Sequence, residues 1–452
     1  MSTPAPPGAA VTARRDRWHL AAACLVLIAG IWANTGTLAP YGATLDHPFV
    51  WEPCKYLLNI DHFHFKATFF MLDGATREQW AFSVVLRRLL YPLIAYPFMK
   101  LLGFGGGGLA VNTLLAVGSV VVFWLALRRR SAVPPSPAVL WLLATYPGIF
   151  YWAGLPYSYA AIVPFSLLSL VLLWRVERLA TWREALLCGL ALGVLFTGYD
   201  LLPFFGAAAI LLLLYRRLWG PCAVLAVTQV VPLALVLAFL KWHFGVPVRN
   251  SNSEAYAHVL GSYFSPIDGQ KWGELLLNLP TVLVDSFLYS NFLFLPLLFL
   301  TCLAVSRRLP KDGRTLPVAE ISLLLAAALL FLFNNAAPPY DGWQLRGTWI
   351  ARLYQPVFVA ILSFLAVFFG RSPLLPRPWR LGTQAALALT LLANAWVVFA
   401  PLAGHAGLSG LLYNRFYRHA TATSYAANLR VFGARPVGFC DTAPRAPASV
   451  TH

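Results

Sequence analysis

The sequence predicts an all-α polytopic membrane protein with about eleven transmembrane helices. Of its 452 residues, 59% are apolar and only 11% are charged, less than half of the roughly 25% charged residues in soluble domains. The apolar residues fall into runs of about 20, which as helices cross a hydrocarbon core of about 30 Å. The net charge of +17 comes from short basic clusters between these runs, a distribution typical of inserted proteins and not of nucleic-acid binding.

Eleven apolar segments are predicted to be spans. They cover residues 18–38, 107–127, 138–155, 157–175, 185–198, 201–215, 220–241, 283–305, 317–335, 351–369 and 382–402. The first follows a basic N-terminus without a clear cleavage site, which indicates an uncleaved span. The chain then divides into a cytoplasmic tail (1–17), one membrane domain (18–402) with a first outer loop at 39–106, and an outer tail (403–452).

Segment 80–103 decides the topology, because it is apolar but carries Arg87 and Arg88 near its middle. If it lies along the membrane surface, the cytoplasmic segments hold 18 Lys and Arg against five Asp and Glu, and the outer segments hold the other 16 against 12. If it crossed, 15 of those 18 basic residues would move outside, against the positive-inside rule. We therefore predict amphipathic interfacial helices in 80–103, a cytoplasmic N-terminus and an extracytoplasmic C-terminus.

The two shortest spans, 185–198 and 201–215, enclose the turn "TGYD". Arg183 precedes the pair and Arg216 follows it, so both outer ends favour the cytoplasm. A helix of 14 or 15 residues reaches only about 21 Å, which would leave Asp200 inside the membrane. An ionisable residue at that depth is a functional candidate by default. The alternative is a turn that merely reaches the outer interface.

The first outer loop concentrates titratable residues in "LDHPFVWEPCKYLLNIDHFHFK", residues 45–66. Asp46, Glu52 and Asp61 are candidates for a general base, and the alternative is a solvated polar loop. The histidines of "DHFHF" beside Asp61 give weak support for a divalent metal. We favour an interfacial aromatic and histidine belt there, so no metal or other cofactor is required.

The six cysteines have no spacing typical of a metal site. Cys54 and Cys440 both fall outside the membrane in this topology, and the sequence leaves open whether they form a disulfide. The other four lie in apolar segments and are expected to be small buried side chains: Cys24, Cys188, Cys222 and Cys302.

The large hydrophilic segments face outward in this topology, and the cytoplasmic loops are short. No Walker loop, GxGxxG helix opening or CxxC pair occurs in the sequence. Any chemistry would therefore take place on the outer face, away from ATP. An enzyme of this kind needs a substrate that is already activated and already across the membrane.

Three motifs resemble the GT-C superfamily of integral-membrane glycosyltransferases. "RRLLYPLIAYP", after the acidic loop, resembles the amphipathic segment before the second span of those proteins. "LLATYPGIFYWAGLPYSYAAIVPFSLLSLVLLW", residues 142–174, resembles a hairpin of the polyprenyl-phosphate-sugar-dependent, mannosyltransferase-like members, although Tyr159 stands where they often carry an acid. "RGTWIARLYQPVF", residues 346–358, resembles the segment that opens a C-terminal span. The resemblance covers about residues 40–370 as architecture.

The resemblance implies transfer of a sugar from a polyprenyl-phosphate donor to a hydroxyl of a lipid, glycan or protein acceptor. The reaction would take place on the extracytoplasmic face of the cell membrane, among membrane lipids and without nucleic acid. Asp46 would be the general base, with Glu52 and Asp61 as alternatives. Arg352 and Arg346 would pair with the donor phosphate, since a guanidinium group can bind phosphate oxygens bidentately.

Four further residues have two interpretations each. Arg87 and Arg88 would bind donor phosphate or extend toward lipid headgroups. Tyr354 would anchor the chain at the interface or stack on a sugar ring. Asp200 would serve the transferase, or with Asp285 it would be a coupling site in the rival function, a transporter or flippase for a lipid-linked or anionic solute. That rival predicts repeats with paired discontinuous helices, and the sequence offers only the short pair at 185–215.

Overall fold

The computed structural model describes residues 7–33, 88–130, 135–153, 158–244, 294–310, 316–336 and 355–399, and all regular structure in these ranges is helical. Two short 3₁₀ helices, Ser158–Ala161 and Ser372–Leu374, precede and follow longer helices. The α-helices are α1 Pro7–Ala33, α2 Leu90–Arg130, α3 Ala138–Ala144, α4 Pro147–Ala153, α5 Ile162–Val176, α6 Trp182–Phe196, α7 Pro203–Tyr215, α8 Trp219–Thr228, α9 Val231–Phe244, α10 Phe294–Ser306, α11 Val318–Ala336, α12 Gln355–Arg371 and α13 Arg377–Phe399.

The chain is a multi-pass membrane protein. Four shorter apolar helices accompany five segments that are long and apolar enough to cross a bilayer. The five are Arg15–Ala33, Gly106–Arg130, Tyr159–Val176, Trp219–Phe239 and Gln355–Leu374. Each of the eleven predicted spans coincides at least in part with a helix, which confirms the all-helical class, while the number of crossings stays a prediction.

Helices α5 and α12 form the centre of the bundle. About 78% of segment Tyr159–Val176 and 61% of segment Gln355–Leu374 is buried, against 17% of Trp219–Phe239. Helix α5 packs against α2, α7 and α12, whereas α8 and α9 pack mainly against α6. Lipid-facing and core-facing positions are equally apolar in such a protein, so sequence periodicity does not separate the central helices from the peripheral ones.

Helix α2 folds back on itself near its start. The Tyr91 Oη atom donates a hydrogen bond of 2.8 Å to Asn112 Oδ1, although 21 residues of straight helix would separate these positions by about 31 Å. Glycines at 103 and 105–108 lie between them, and a glycine-rich stretch permits a sharp bend. Residues 90–103 are helical as predicted, and one continuous but bent helix carries them into the second span, while their position along the membrane surface stays a prediction.

Two predicted spans are each divided into two helices. The span at 138–155 is interrupted between α3 and α4, and the span at 220–241 between α8 and α9. Pro147 opens α4, and the residue before a proline disfavours helical geometry. Pro232 has no N–H to donate to the carbonyl four residues earlier. Just before it, the Val230 N–H donates at 3.1 Å to the carbonyl of Val227, three residues earlier, as in a turn.

A capping box fixes the start of α6. The Thr181 hydroxyl accepts a hydrogen bond from the Glu184 N–H, and the Glu184 side chain accepts one from the Thr181 N–H. The backbone N–H of Ala180 donates to the same carboxylate at 3.0 Å. This bond is the main reason that the pKa of Glu184 is lowered, with Arg175 contributing as well. These hydrogen bonds fix the residue at which α6 begins.

Small residues of α6 allow α8 and α9 to approach closely. A Cβ atom at Gly193 would collide with the Gln229 carbonyl oxygen and would lie 2.7 Å from Pro232 Cδ. Close contact through small residues is a common way for membrane helices to associate. Gly193 therefore holds the divided pair α8 and α9 against the bundle.

We expect Gly193→Ala to destabilise the folded protein by about 1 to 3 kcal/mol, the usual cost of forcing extra atoms into a packed contact. The matched control is Gly118→Ala in α2, where an added Cβ meets no atom within 4 Å. That control should be neutral or slightly stabilising, because alanine is the better helix former. Thermal unfolding in detergent measures both variants, and equal effects would contradict the contact at Gly193.

Candidate functional site

Two residues predicted from sequence to be functional, Arg88 and Asp200, form an ion pair. The Arg88 Nη2 and Nε atoms lie 2.7 and 3.1 Å from Asp200 Oδ2. The Arg88 side chain is 6% exposed and that of Asp200 is 28% exposed. The guanidinium group is therefore buried, and its carboxylate partner occupies the open side of the pair.

Two neighbouring tyrosine rings lie against the Arg88 guanidinium. Its Cζ atom lies 4.9 Å from the ring centroid of Tyr199 and 5.4 Å from that of Tyr159. The two rings meet edge to face with their centroids 6.0 Å apart. Cation–π contacts of this kind stabilise a guanidinium away from water. We name the four side chains of Arg88, Asp200, Tyr159 and Tyr199 the Arg88 site.

Three separate parts of the fold position these four side chains. Arg88 precedes α2, Tyr159 belongs to the 3₁₀ helix before α5, and the other two residues lie in the turn between α6 and α7. The Leu90 N–H donates to the Thr197 carbonyl at 3.3 Å, which joins the start of α2 to this turn. A Cβ atom at Gly198 would collide with the Phe165 ring, so this glycine lets the turn lie directly against α5.

The lengths of the helices on either side of the turn bear on the depth of the Arg88 site in the membrane. Helices α6 and α7 have 15 and 13 residues, which correspond to about 22 and 20 Å. Their far ends carry Arg183, Arg216 and Arg217, residues that favour the membrane surface. The turn that joins these helices therefore falls short of the opposite edge of a hydrocarbon core of about 30 Å. This favours the prediction of an Asp200 inside the membrane over the surface-turn alternative.

A second polar cluster joins four helices at the opposite end of α2 and α5. The Arg130 guanidinium bonds Glu177 Oε2 at 2.7 Å and both carboxylate oxygens of Glu320. The Trp174 indole N–H and the Ser363 hydroxyl donate to Glu320 Oε1 at 2.9 and 3.2 Å. We name these five residues the Arg130 cluster.

The Arg130 cluster was not anticipated from the sequence, where Glu177 and Glu320 are only two of the five acidic residues counted on the cytoplasmic side. In the structure Glu320 is only 1% exposed. A signal was present, because both acids lie beside basic clusters in a chain with only 17 acidic residues. Because the hydrogen bonds of Glu320 with Arg130, Trp174 and Ser363 all lie within the cluster, we assign the cluster a structural role.

The other predicted site residues lie outside the described part of the chain and stay predictions. They are Asp46, Glu52, Asp61, Arg87, Arg346, Arg352 and Tyr354, and with them Asp285, Cys54 and Cys440. Among the described residues no group of three or more His, Cys, Asp and Glu side chains lies together as metal ligands would. The expectation for the apolar-segment cysteines is confirmed for Cys188, Cys222 and Cys302, which are buried, while Cys24 is only partly buried.

No known protein-family model matches the sequence, and no curated protein matches it. In structure the chain is similar to the crystal structure of ArnT from Cupriavidus metallidurans bound to undecaprenyl phosphate. The two share 14% sequence identity with a TM-score of 0.49, over 92% of this chain and 71% of that chain. The residues of this chain therefore carry the functional argument.

Proposed function

We propose that this protein is a membrane glycosyltransferase that moves a sugar from a polyprenyl-phosphate donor to an acceptor hydroxyl on the extracytoplasmic face. The observation that carries the proposal is the Arg88 site, a buried guanidinium in contact with two aromatic rings, which we place at membrane depth from the short helices beside it. A polyprenyl-phosphate sugar combines an anionic phosphate with a tail that stays in lipid. A cation inside the membrane, reached from one side, suits that combination.

The chemical step needs a base and a phosphate-binding group. Asp46 would take the proton of the acceptor hydroxyl, with Glu52 and Asp61 as alternatives. The acceptor oxygen then attacks the anomeric carbon, and the bond from that carbon to the phosphate oxygen breaks. The lipid phosphate leaves with the bonding electrons, and Arg352 and Arg346 would stabilise its added charge.

Arg88 would contribute to the same phosphate site, and Arg87 stays a further candidate beside it. Because a guanidinium is permanently charged and offers several N–H donors in one plane, it suits a phosphate better than an ammonium does. The two tyrosine rings beside Arg88 leave its position little freedom. The site would therefore be ordered before the donor arrives, which lowers the cost of binding.

The proposed topology places the N-terminus in the cytoplasm and the C-terminal tail outside. A reporter that is active only outside the cytoplasm should work when fused after His405 and fail when fused after Arg130 or Arg308. The reason is the concentration of basic residues in the segments assigned to the cytoplasm. Activity of the fusion at Arg308 would reverse the later half of the topology and remove the single outer face that the enzyme needs.

The second candidate function is transport or flipping of a lipid-linked or anionic solute. One observation favours it, namely that helix breaks occur in two predicted spans, at α3–α4 and at α8–α9. Transporters often bind their substrates at discontinuous helices near the bilayer midplane. The two candidates differ in product, since a transporter moves the lipid-linked sugar intact and a transferase releases the lipid phosphate.

The deciding experiment uses the full chain in proteoliposomes with a labelled polyprenyl-phosphate sugar and a panel of lipid, glycan and protein acceptors. A transferase yields labelled acceptor and free polyprenyl phosphate in equal amounts. Liposomes without protein give the background. Movement of intact donor across the bilayer, with no release of polyprenyl phosphate for any acceptor, would replace the transferase with the transporter.

A further inference from the structure

The partners of the Arg88 ion pair differ in exposure, and this difference indicates how a ligand would reach the site. The Arg88 side chain is 6% exposed, whereas that of Asp200 is 28% exposed. The rings of Tyr159 and Tyr199, which are 3% and 1% exposed, contact the guanidinium. A group that approaches from the open side therefore meets the Asp200 carboxylate first, and Arg88 behind it.

A buried arginine needs a counter-ion at all times. Moving a charge from water into a medium of low dielectric constant costs several kcal/mol unless an opposite charge lies beside it. Asp200 supplies that charge through its Oδ2 atom, which accepts bonds from both Nε and Nη2 of Arg88. A phosphate oxygen carries the same charge and accepts the same two N–H groups, so it would occupy the position of Oδ2.

The surroundings of Arg88 allow such an exchange without movement of the guanidinium. The ring centroids of Tyr199 and Tyr159 lie 4.9 and 5.4 Å from its Cζ atom, and these contacts do not depend on which anion is bound. Asp200 lies in the turn between α6 and α7, not within a helix. A change of side-chain rotamer would therefore move its carboxylate away from the pair.

We infer that Asp200 is a resident counter-ion of Arg88 that the phosphate group of a polyprenyl phosphate replaces. The inference rests on the proposed function and names the ligand of this site and the residue that competes with it. Asp200 is thus a positioning residue that keeps Arg88 in place while the site is empty. Removal of the Asp200 carboxylate should lower the stability of the protein without ligand and increase its affinity for polyprenyl phosphate.

The test measures the Kd of polyprenyl phosphate and the melting temperature of the purified full chain in detergent. We expect Asp200→Asn to lower the melting temperature without ligand and to lower the Kd about tenfold, within the range of coupling between groups in contact. Ligand should then raise the melting temperature of the variant more than that of the wild type. An unchanged or higher Kd would overturn the inference.

Three probes separate possible sources of the effect. Neutral polyprenol tests the lipid tail alone, inorganic phosphate tests the anion alone, and phosphatidylglycerol tests a common anionic headgroup. Asp200→Asn should leave the affinity for polyprenol unchanged. The loss of a competing carboxylate acts on any bound phosphate, so inorganic phosphate should gain affinity by a similar factor, from a much higher Kd. A wild-type Kd for inorganic phosphate or for phosphatidylglycerol equal to that for polyprenyl phosphate would overturn the assignment of the ligand.

Two further variants keep the test valid if Asp200→Asn does not fold. The double variant Arg88→Gln with Asp200→Asn removes both charges, so it should fold and should bind polyprenyl phosphate at least tenfold more weakly than the wild type. Wild-type affinity of that double variant would overturn the inference.

Glu320→Gln removes a counter-ion from the Arg130 cluster, so it should lower the melting temperature with no change in Kd. The readout is binding, so a negative transfer assay with the expected Kd changes would refute only the proposed reaction.

Discussion

Replacing Glu320 with glutamine should lower the free energy of unfolding by about 3 kcal/mol, the lower end of the cost of breaking a buried ion pair. Glu320 is 1% exposed and Arg130 is 10% exposed, so water replaces little of the lost interaction. The lower end is expected because Glu177 still faces Arg130 at 2.7 Å. The Trp174 indole N–H and the Ser363 hydroxyl would keep only a neutral acceptor.

The measurement is unfolding in mixed micelles, where the variant is compared with Arg175→Gln. That control also breaks an Arg–Glu pair, but Arg175 is 61% exposed, and exposed pairs contribute little to stability. We expect the control to unfold close to the wild type. If Glu320→Gln also unfolded like the wild type, the Arg130 cluster would be incidental to stability.

The positions of the Arg130 cluster residues in the chain explain why the cluster is expected to contribute strongly to stability. Arg130 ends α2, Glu177 follows α5, Glu320 lies in the first turn of α11, and Ser363 belongs to α12. In a membrane there is little hydrophobic force between helices, so polar contacts contribute much of the specificity of their packing. One arginine here fixes the mutual positions of segments that are up to 190 residues apart in sequence.

The class of the protein could be predicted from the sequence because it depends on local properties. An apolar run of about 20 residues indicates a span whatever its neighbours are. The prediction that Asp200 lies at membrane depth has a similar local basis, namely the short helices and the arginines at their far ends. These inferences need no knowledge of which helices touch.

The pairing of Arg88 with Asp200 could not be predicted in that way. The two residues are 112 positions apart, and their contact requires the start of α2 to reach the turn between α6 and α7. That in turn needs the bend between Tyr91 and Asn112, which hydropathy does not reveal. From sequence alone Asp200→Asn is expected to impair function with little loss of folded protein, whereas its buried partner Arg88 now predicts a loss of stability as well.

The proposed general base gives the largest expected effect on activity. Asp46→Asn should reduce transfer from a labelled polyprenyl-phosphate sugar by roughly 10² to 10⁴-fold, the usual contribution of a general base. Asparagine keeps the size of the side chain but does not accept the acceptor proton. Binding of the donor should be unaffected, because the base acts on the acceptor hydroxyl.

Matched variants in the same loop and at the phosphate site distinguish the roles. Glu52→Gln and Asp61→Asn should retain most of the transfer activity if Asp46 is the base, and full activity of Asp46→Asn would transfer the role to one of them.

Arg352→Ala should differ from all three, because it should weaken donor binding and also slow the step in which the phosphate gains charge. Lysine at 352 should recover only part of that loss, since an ammonium does not reproduce the two parallel N–H donors of a guanidinium. Normal donor binding by Arg352→Ala would place the phosphate site elsewhere, with Arg88, Arg87 and Arg346 as the remaining candidates.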